Sequence, residues 1–163
     1  MIPKLSDFFE MVDKSLQEKG FALEDHWLID HICLRTSTIE EYKRVCSEYS
    51  VENELLIESH VGGRLISTFK LLEPLLFNGY EIPLIEIPEP KLGRQTASGY
   101  EHLEIVVTES FDALEAKFQG LNILKHALSK KINPELEVEF DNFSLKFHHQ
   151  SLQEVIEYEK SLV

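Results

Sequence analysis

The hydrophobic positions of this chain change from helical to strand spacing in an order that occurs twice. An amphipathic helix is predicted at the start, because apolar residues recur three or four positions apart from Leu5 to Leu16. From residue 30, alternating apolar and polar residues predict a strand, and a capping box of Ser37, Thr38 and Glu41 predicts a helix after it. Three further strands complete a βαβββ module, at 54–60, 64–72 and 80–87.

The same order of elements restarts after a stretch rich in proline and glycine. A strand at 100–107 precedes a helix that Ser110 caps, and short strands follow near 123–128, 136–140 and 143–148. We therefore predict an α+β fold of paired βαβββ modules in a single domain over 1–163. Its predicted parts are an N-terminal helical extension at 1–29, the first module at 30–90, a linker at 91–99, the second module at 100–150 and a C-terminal helix at 151–163.

Each predicted module begins with an acidic residue followed by a histidine. Asp30 and His31 open the first strand, Glu101 and His102 open the corresponding strand, and the histidines are 102 − 31 = 71 residues apart. A duplicated unit that places one histidine at the same structural point in each copy can assemble a metal site between the copies. The recurrence, rather than either histidine alone, indicates the site.

Strand parity sorts the polar side chains of both modules onto one face of the sheet. Successive residues of a strand point to opposite faces, so the apolar face is expected to pack under helices. An ordinary half-buried sheet would turn the polar face to water, which is the simplest alternative. If the sheet curls on itself, that face lines a cavity where four residues converge: His31, Glu86, His102 and His148.

Strand parity also assigns neighbouring residues to opposite faces of the sheet. It places His148 with Lys146 on the polar face and His149 on the face of Phe147, so only His148 is expected to point at the other two histidines. Asp30 and Glu101 are expected on the opposite face, as turn or helix-packing residues. The other histidines without a repeat partner are expected to face solvent, namely His60, His126 and His149.

Composition narrows the partners and the compartment. A formal charge of −13 disfavours nucleic acid and anionic membranes as partners, since both require a basic face. The two cysteines, Cys33 and Cys46, show neither zinc-site nor disulfide-framework spacing, so a reducing cytoplasm is expected. No signal pattern or long apolar segment is present in the sequence, which favours a soluble protein.

Several stretches together resemble the YecM family, a branch of the vicinal oxygen chelate superfamily that includes glyoxalase I, extradiol dioxygenases and fosfomycin-resistance proteins. The resemblance implies a glyoxalase-like fold, in which paired modules form a curved sheet around a cleft. The stretches are DHICLR at 30–35, GGRLISTFKLLEP at 62–74, NGYEIPLIEIPEP at 78–90, GYEHLEIV at 99–106, NPELEV at 133–138 and SLKFHHQSLQEVIEYE at 144–159.

The resemblance also implies metal ligands, because metal-using members take them from the first and fourth strands of each module. By position these are His31 and Glu86 in the first module, and His102 with a residue of the last strand in the second. Glyoxalase-like enzymes supply a carboxylate from that last strand, whereas this chain offers His148. We therefore do not expect chemistry that uses such a carboxylate as the base.

Two histidines and one carboxylate match the facial arrangement that is used for Fe(II), and they also suit Zn, Mn or Ni. A divalent metal ion would polarise substrate oxygens, and Glu104, on the same face as His102, could support a ligand or act as a base. Arg35 and Lys146 are predicted to contribute to catalysis, or alternatively only to neutralise the inner carboxylates. Arg64 and Lys70 are predicted to bind an anionic group of the substrate.

The predicted function is that of a cytoplasmic metal-dependent enzyme of the vicinal oxygen chelate type. It would bind a small oxygen-rich anion through two oxygens, as an isomerase, lyase or dioxygenase. The alternative is a non-catalytic small-molecule-binding protein that uses the same cupped sheet, with a cavity lined mainly by aromatic residues. A structural or regulatory interaction domain would instead need an exposed apolar patch. The modules could close within one chain or across a homodimer.

Overall fold

Each half of the chain folds into a βαβββ unit, and a helix precedes the first unit. The computed structural model describes every residue from Met1 to Val163. The helix α1 spans Leu5–Glu18, and the first unit consists of β1 Leu28–Arg35, α2 Ile39–Tyr49, β2 Glu54–Val61, β3 Arg64–Phe77 and β4 Tyr80–Pro88. The second unit consists of β5 Gly99–Val106, α3 Phe111–Lys117, β6 Asn122–Leu124, β7 Leu136–Glu139 and β8 Ser144–His148, and α4 Leu152–Ser161 follows it.

The two units join into one eight-stranded sheet with the strand order β2-β3-β4-β1-β5-β8-β7-β6. Within the units, β1 runs parallel to β4 and β5 runs parallel to β8. At the centre β1 and β5 pair antiparallel, with His31 opposite Glu104 and Cys33 opposite His102. The predicted α+β fold of paired modules around a curved sheet is confirmed.

Two elements differ from the sequence prediction. β3 continues past residue 72 to Phe77, because its last residues pair again with β4 after a register shift between Lys70 and Leu75. The strand predicted at 123–128 is shorter, and a 3₁₀ turn at His126–Ser129 replaces its second half. Short apolar runs do not distinguish these alternatives, since their periodicity fits either structure.

One face of the sheet packs under α1, α2 and α3 and forms the core. Ile32, Leu103 and Phe147 are fully buried there, at 0% exposure. Phe147 is the centre of an aromatic cluster, with ring centroids 5.3 Å from Trp27 and 5.2 Å from Phe118. None of the helices is both long and apolar enough to cross a membrane.

The helix α4 lies on the other face of the sheet, where the polar side chains are. Its residues Leu152, Val155 and Ile156 face the strands across a cavity. The Lys160 ammonium donates a hydrogen bond to the Leu56 carbonyl at 2.8 Å, which fastens the end of the helix to the edge strand β2. This helix therefore covers the cavity from one side.

Phe147→Ala is expected to lower the free energy of unfolding by about 3–5 kcal/mol, because it removes a fully buried ring from between two other aromatic rings. Denaturant unfolding would measure the loss. The matched control is Leu72→Ala, whose side chain is 75% exposed and which should change the stability by no more than about 0.5 kcal/mol. Equal losses in the two variants would contradict the assignment of the core face.

Candidate functional site

Three histidines from both halves of the sheet converge on one carboxylate, that of Glu104. The Nε2 atoms of His31 and His102 lie 3.3 Å and 3.2 Å from Glu104 Oε1. The Nε2 atom of His148 lies 3.3 Å from Glu104 Oε2. β1, β5 and β8 are neighbours in the sheet, so the side chains that point to the same face meet there. The convergence of His31, His102 and His148 that parity predicted is therefore present.

The histidine nitrogens at this point lack hydrogen-bond partners. Nε2 of His31, both ring nitrogens of His102 and Nε2 of His148 are buried without a partner of acceptable geometry. Buried polar atoms are normally hydrogen-bonded, so an unpartnered group inside a cavity needs another explanation, such as a ligand. One ligand atom from each of His31, His102 and Glu104 falls within 4.8 Å of the others, which is an arrangement that can bind a metal ion.

Asp30 fixes the orientation of His31. Its Oδ2 atom accepts a hydrogen bond from His31 Nδ1 at 2.8 Å and another from the backbone N–H of Leu152, at the start of α4, at 2.9 Å. With Nδ1 donating to Asp30, the neutral imidazole directs its Nε2 lone pair at Glu104. Metal-binding histidines commonly have such a carboxylate partner.

The parity prediction for Asp30 and Glu101 is wrong. Along the β1–β5 pair the register shifts between Ile29 and His31, so that Asp30 is an extra residue in β1, and it shifts again beside Glu101 in β5. Such bulges break the alternation of side chains. Asp30 consequently reaches His31, and Glu101 lines the cavity.

Asn133, in the loop before β7, fixes the ring of His148. Its Nδ2 atom lies 2.5 Å from His148 Nδ1. The same amide group donates to the Gln150 carbonyl at 3.0 Å and accepts from the Gln150 N–H at 3.2 Å. The φ angle of Asn133 is 46°, a left-handed conformation that asparagine tolerates better than most residues.

The buried charged groups of the site shift one another's pKa values. Burial disfavours the charged form of His31, but the Glu104 carboxylate and the hydrogen bond to Asp30 outweigh it and hold the pKa of His31 well above its ordinary value. Burial would raise the pKa of Glu104, but the charge of His31 and the contact with His102 hold it well below the usual range. Burial lowers the pKa of His148, which favours its neutral form.

The pairing of β5 with β8 determines which residue of the last strand corresponds to Glu86. Cys33 pairs with Glu86 in the first half, and Glu104, which is 104 − 33 = 71 residues later, pairs with Lys146 in the second. Lys146 thus occupies the position that corresponds to Glu86, and His148 lies two residues beyond it. The sequence identified the strand but not the offset between strands. Burial would lower the pKa of Lys146, but Glu104 and Glu135 raise it, so its amine stays charged.

The predicted ligand Glu86 lies at the margin of the histidine cluster. Its Oε2 atom is 4.0 Å from His31 Nε2, further than either contact of Glu104 with His31 or His102. Glu86 forms a second potential ligand group with Cys33 and His102. Burial holds the pKa of the Cys33 thiol well above its usual value.

A cavity of about 430 Å³ opens from this cluster between the sheet and α4. Apolar residues of β2, β3 and α4 line it together with four basic residues and five glutamates. No phenylalanine, tyrosine or tryptophan lines it. The basic residues are Arg64, Lys91, Lys130 and Lys146.

Two predicted site residues lie outside this cavity. The Arg35 guanidinium donates to the Ala97 carbonyl at 2.8 Å and lies 3.6 Å from Glu101, on another part of the surface. Lys70 is exposed and does not line the cavity. His149, which strand parity placed on the opposite face from His148, is exposed, and its Nε2 atom lies 2.8 Å from the Glu109 carbonyl oxygen.

Sequence reasoning missed Asp30 and Asn133 as partners of the histidines. Asp30 could have been found from its position next to a predicted ligand, because the pair of an acid and a histidine recurs at Glu101 and His102. Asn133 lies 15 residues from His148 in a loop of irregular structure. It is the first residue of the family-like stretch NPELEV, but neither spacing nor periodicity links it to His148.

Comparisons with known proteins agree with this fold. Protein YecM of Escherichia coli (strain K12) is 31% identical over 150 residues, which cover 81% of this chain and 78% of that protein. A structural-genomics structure described as Protein EC4020 is 28% identical with a TM-score of 0.80, and the match covers 95% of this chain and 88% of that one.

A more distant structure shares the fold alone. Methylmalonyl-CoA epimerase from Streptomyces coelicolor, as a variant in complex with 2-nitronate-propionyl-CoA, is 12% identical with a TM-score of 0.55, covering 77% of this chain and 97% of the epimerase. The family described as YecM protein matches residues 1–132. The chain therefore belongs to the YecM family and has the fold of the vicinal oxygen chelate proteins, as its sequence predicted.

Proposed function

We propose that this protein is a metal-dependent enzyme of the vicinal oxygen chelate type that acts on a small oxygen-rich anion. The observation that supports it best is the set of buried histidine nitrogens that meet at Glu104 without hydrogen-bond partners. A cation at this point would supply a partner to Nε2 of His31 and to one ring nitrogen of His102. The fold shared with an epimerase agrees with an enzyme but does not specify the reaction.

The ligands that fit best are His31, His102 and Glu104, which make two imidazoles and one carboxylate. This donor set is the one that non-haem Fe(II) enzymes use, and it also accepts Zn, Mn or Ni. A divalent ion bound there would act as a Lewis acid toward two oxygens of the substrate. Glu86 is close enough to serve as an additional ligand or as a base.

Cationic side chains of the cavity offer contacts to an anionic group of the substrate, although Glu135 already pairs with two of them. Lys146 lies beside Glu104 in the sheet and stays charged, while Arg64 reaches the cavity from β3. Cationic side chains bind carboxylate and phosphate groups by charge-assisted hydrogen bonds. The helix α4 covers the cavity and would exclude water from a bound substrate. Arg35 and Lys70 are not part of the proposed site, because neither lines the cavity.

The lining of the cavity argues against the non-catalytic alternative. A drug-sequestering protein of this fold would be expected to surround its ligand with aromatic side chains, and this cavity has none. The buried ionic cluster would also serve no purpose in a cavity that recognises an apolar molecule, since burying charges is costly.

The protein purified without a metal-binding tag is expected to contain a stoichiometric transition metal, measured by mass spectrometry. His31→Ala and His102→Ala should each lower metal affinity by at least about tenfold, because the loss of even an indirect partner of a ligand has that effect. His149→Ala, at an exposed position, is the matched control and should leave the affinity unchanged.

Substoichiometric metal, together with no thermal stabilisation by Zn, Mn, Ni, Co or Fe(II), would overturn the proposal. Stabilisation by small organic anions in the absence of any metal would instead support the non-catalytic binder.

Metal affinity is expected to rise with pH across the neutral range and then to level off. A proton on His31 Nε2 competes with the cation, and the pKa of His31 is held above its ordinary value of about 6.5, so the proton persists at neutral pH. The stability of the metal-free protein depends on pH in the opposite direction. The raised pKa of His31 stabilises the fold at acidic pH, and this stabilisation is lost as the pH rises through that pKa. Titration calorimetry in several buffers would detect the protons released on binding. Affinity that does not depend on pH would contradict this expectation.

A further inference from the structure

We propose that His148 is a hydrogen-bond donor to the substrate and not a metal ligand, because Asn133 holds its ring in the tautomer that carries the proton on Nε2. This assignment differs from the ligand role that the sequence suggested for His148. Its tautomer stands independently of the proposed function, whereas its role toward the substrate rests on that function.

The orientation of the Asn133 amide is determined by the backbone of Gln150. Its oxygen accepts from the Gln150 N–H and its nitrogen donates to the Gln150 carbonyl. A flipped amide would place two donors against each other and two acceptors against each other, so the flip is excluded. The second proton of the amide nitrogen therefore points at His148 Nδ1, at 2.5 Å.

A ring nitrogen that accepts a hydrogen bond cannot carry the proton of a neutral imidazole. Nδ1 of His148 is the acceptor, so the proton is on Nε2. This Nε2–H lies 3.3 Å from Glu104 Oε2 and has no well-aligned partner. It is thus available to an oxygen in the cavity, and its lone pair is not available to a metal ion.

His31 is held in the opposite tautomer by the opposite kind of partner. Asp30 can only accept, so in the neutral form of His31 it fixes the proton on Nδ1 and leaves Nε2 with a lone pair, which is the form that a metal ion would bind. An accepting carboxylate behind His31 and a donating amide behind His148 thus give two similar histidines different chemical roles. One ring suits a metal ion and the other suits an anion.

The substrate oxygen that His148 would contact is one that gains negative charge. A donor fixed in the cavity stabilises such an oxygen more than a neutral carbonyl oxygen, because the dipole is already oriented and water is excluded. The position next to Glu104, which is shared with the proposed ligands, places this donor beside the reacting end of the substrate. The inferred substrate is therefore one that carries or gains negative charge on the oxygen that meets His148.

The tautomer can be tested directly by ¹⁵N NMR of the metal-free protein, with His148→Gln used to assign the signals. We expect the Nε2–H form for His148 in the wild-type protein. Asn133→Asp should convert it to the Nδ1–H form, because a carboxylate at that place accepts instead of donating, and aspartate also tolerates the left-handed backbone. Asn142→Asp adds the same charge at an exposed turn and should leave the His148 signals unchanged.

Metal binding provides the second measurement. His148→Gln should change zinc affinity by less than about threefold, whereas His31→Gln should lower it by at least about tenfold. Asn133→Asp should raise zinc affinity, since it frees the Nε2 lone pair of His148.

An Nδ1–H signal in the wild-type protein, or a tenfold loss of zinc affinity in His148→Gln, would overturn the assignment. If the wild-type protein binds no metal, the proposed function fails while the tautomer is still decided by the NMR spectrum. If Asn133→Asp does not fold, the wild-type spectrum alone decides the tautomer.

Discussion

The antiparallel pairing of β1 with β5 is the constraint on which the rest of this structure depends. It places His31 opposite Glu104 and joins the two half-sheets into one sheet. Because side chains alternate along a strand, a slip of one residue would turn the histidines into the core and the core residues into the cavity. The fully buried Ile32 and Leu103, which pair with each other in the same register, oppose that slip. The same pairing therefore fixes the core and the site.

The buried carboxylate of Glu104 requires positive charge or hydrogen-bond donors around it. A carboxylate in the interior is costly unless cationic or donor groups surround it, and here three imidazoles do so. In the metal-free protein a proton on His31 supplies the positive charge, which is why the pKa values of this pair move apart. A divalent cation would supply the same compensation more completely, since it also reaches His102. A metal ion bound there would thus compete with the proton for one site.

The bulge at Asp30 connects the site to the helix that covers it. One oxygen of Asp30 accepts from His31 and from the first turn of α4, so the ring that faces Glu104 and the cover of the cavity share a partner. A movement of α4 would disturb the orientation of His31, and Lys160 fastens the far end of the same helix to β2. The extra residue in β1 is therefore a feature with a structural purpose, as bulges near functional sites often are.

The sequence alone determined the modules, the family and the polar face. Hydrophobic periodicity and a 71-residue recurrence are both visible in the order of residues along the chain. Strand parity also predicted that His148, and not His149, faces the cavity, and His149 lies outside it. Only the tertiary structure decided how β5 and β8 are offset, and thus that Lys146 corresponds to Glu86. The roles of Asp30 and Asn133 likewise depended on a bulge and on a loop contact. Periodicity cannot predict either one, since both arise where the regular alternation of the strand ends.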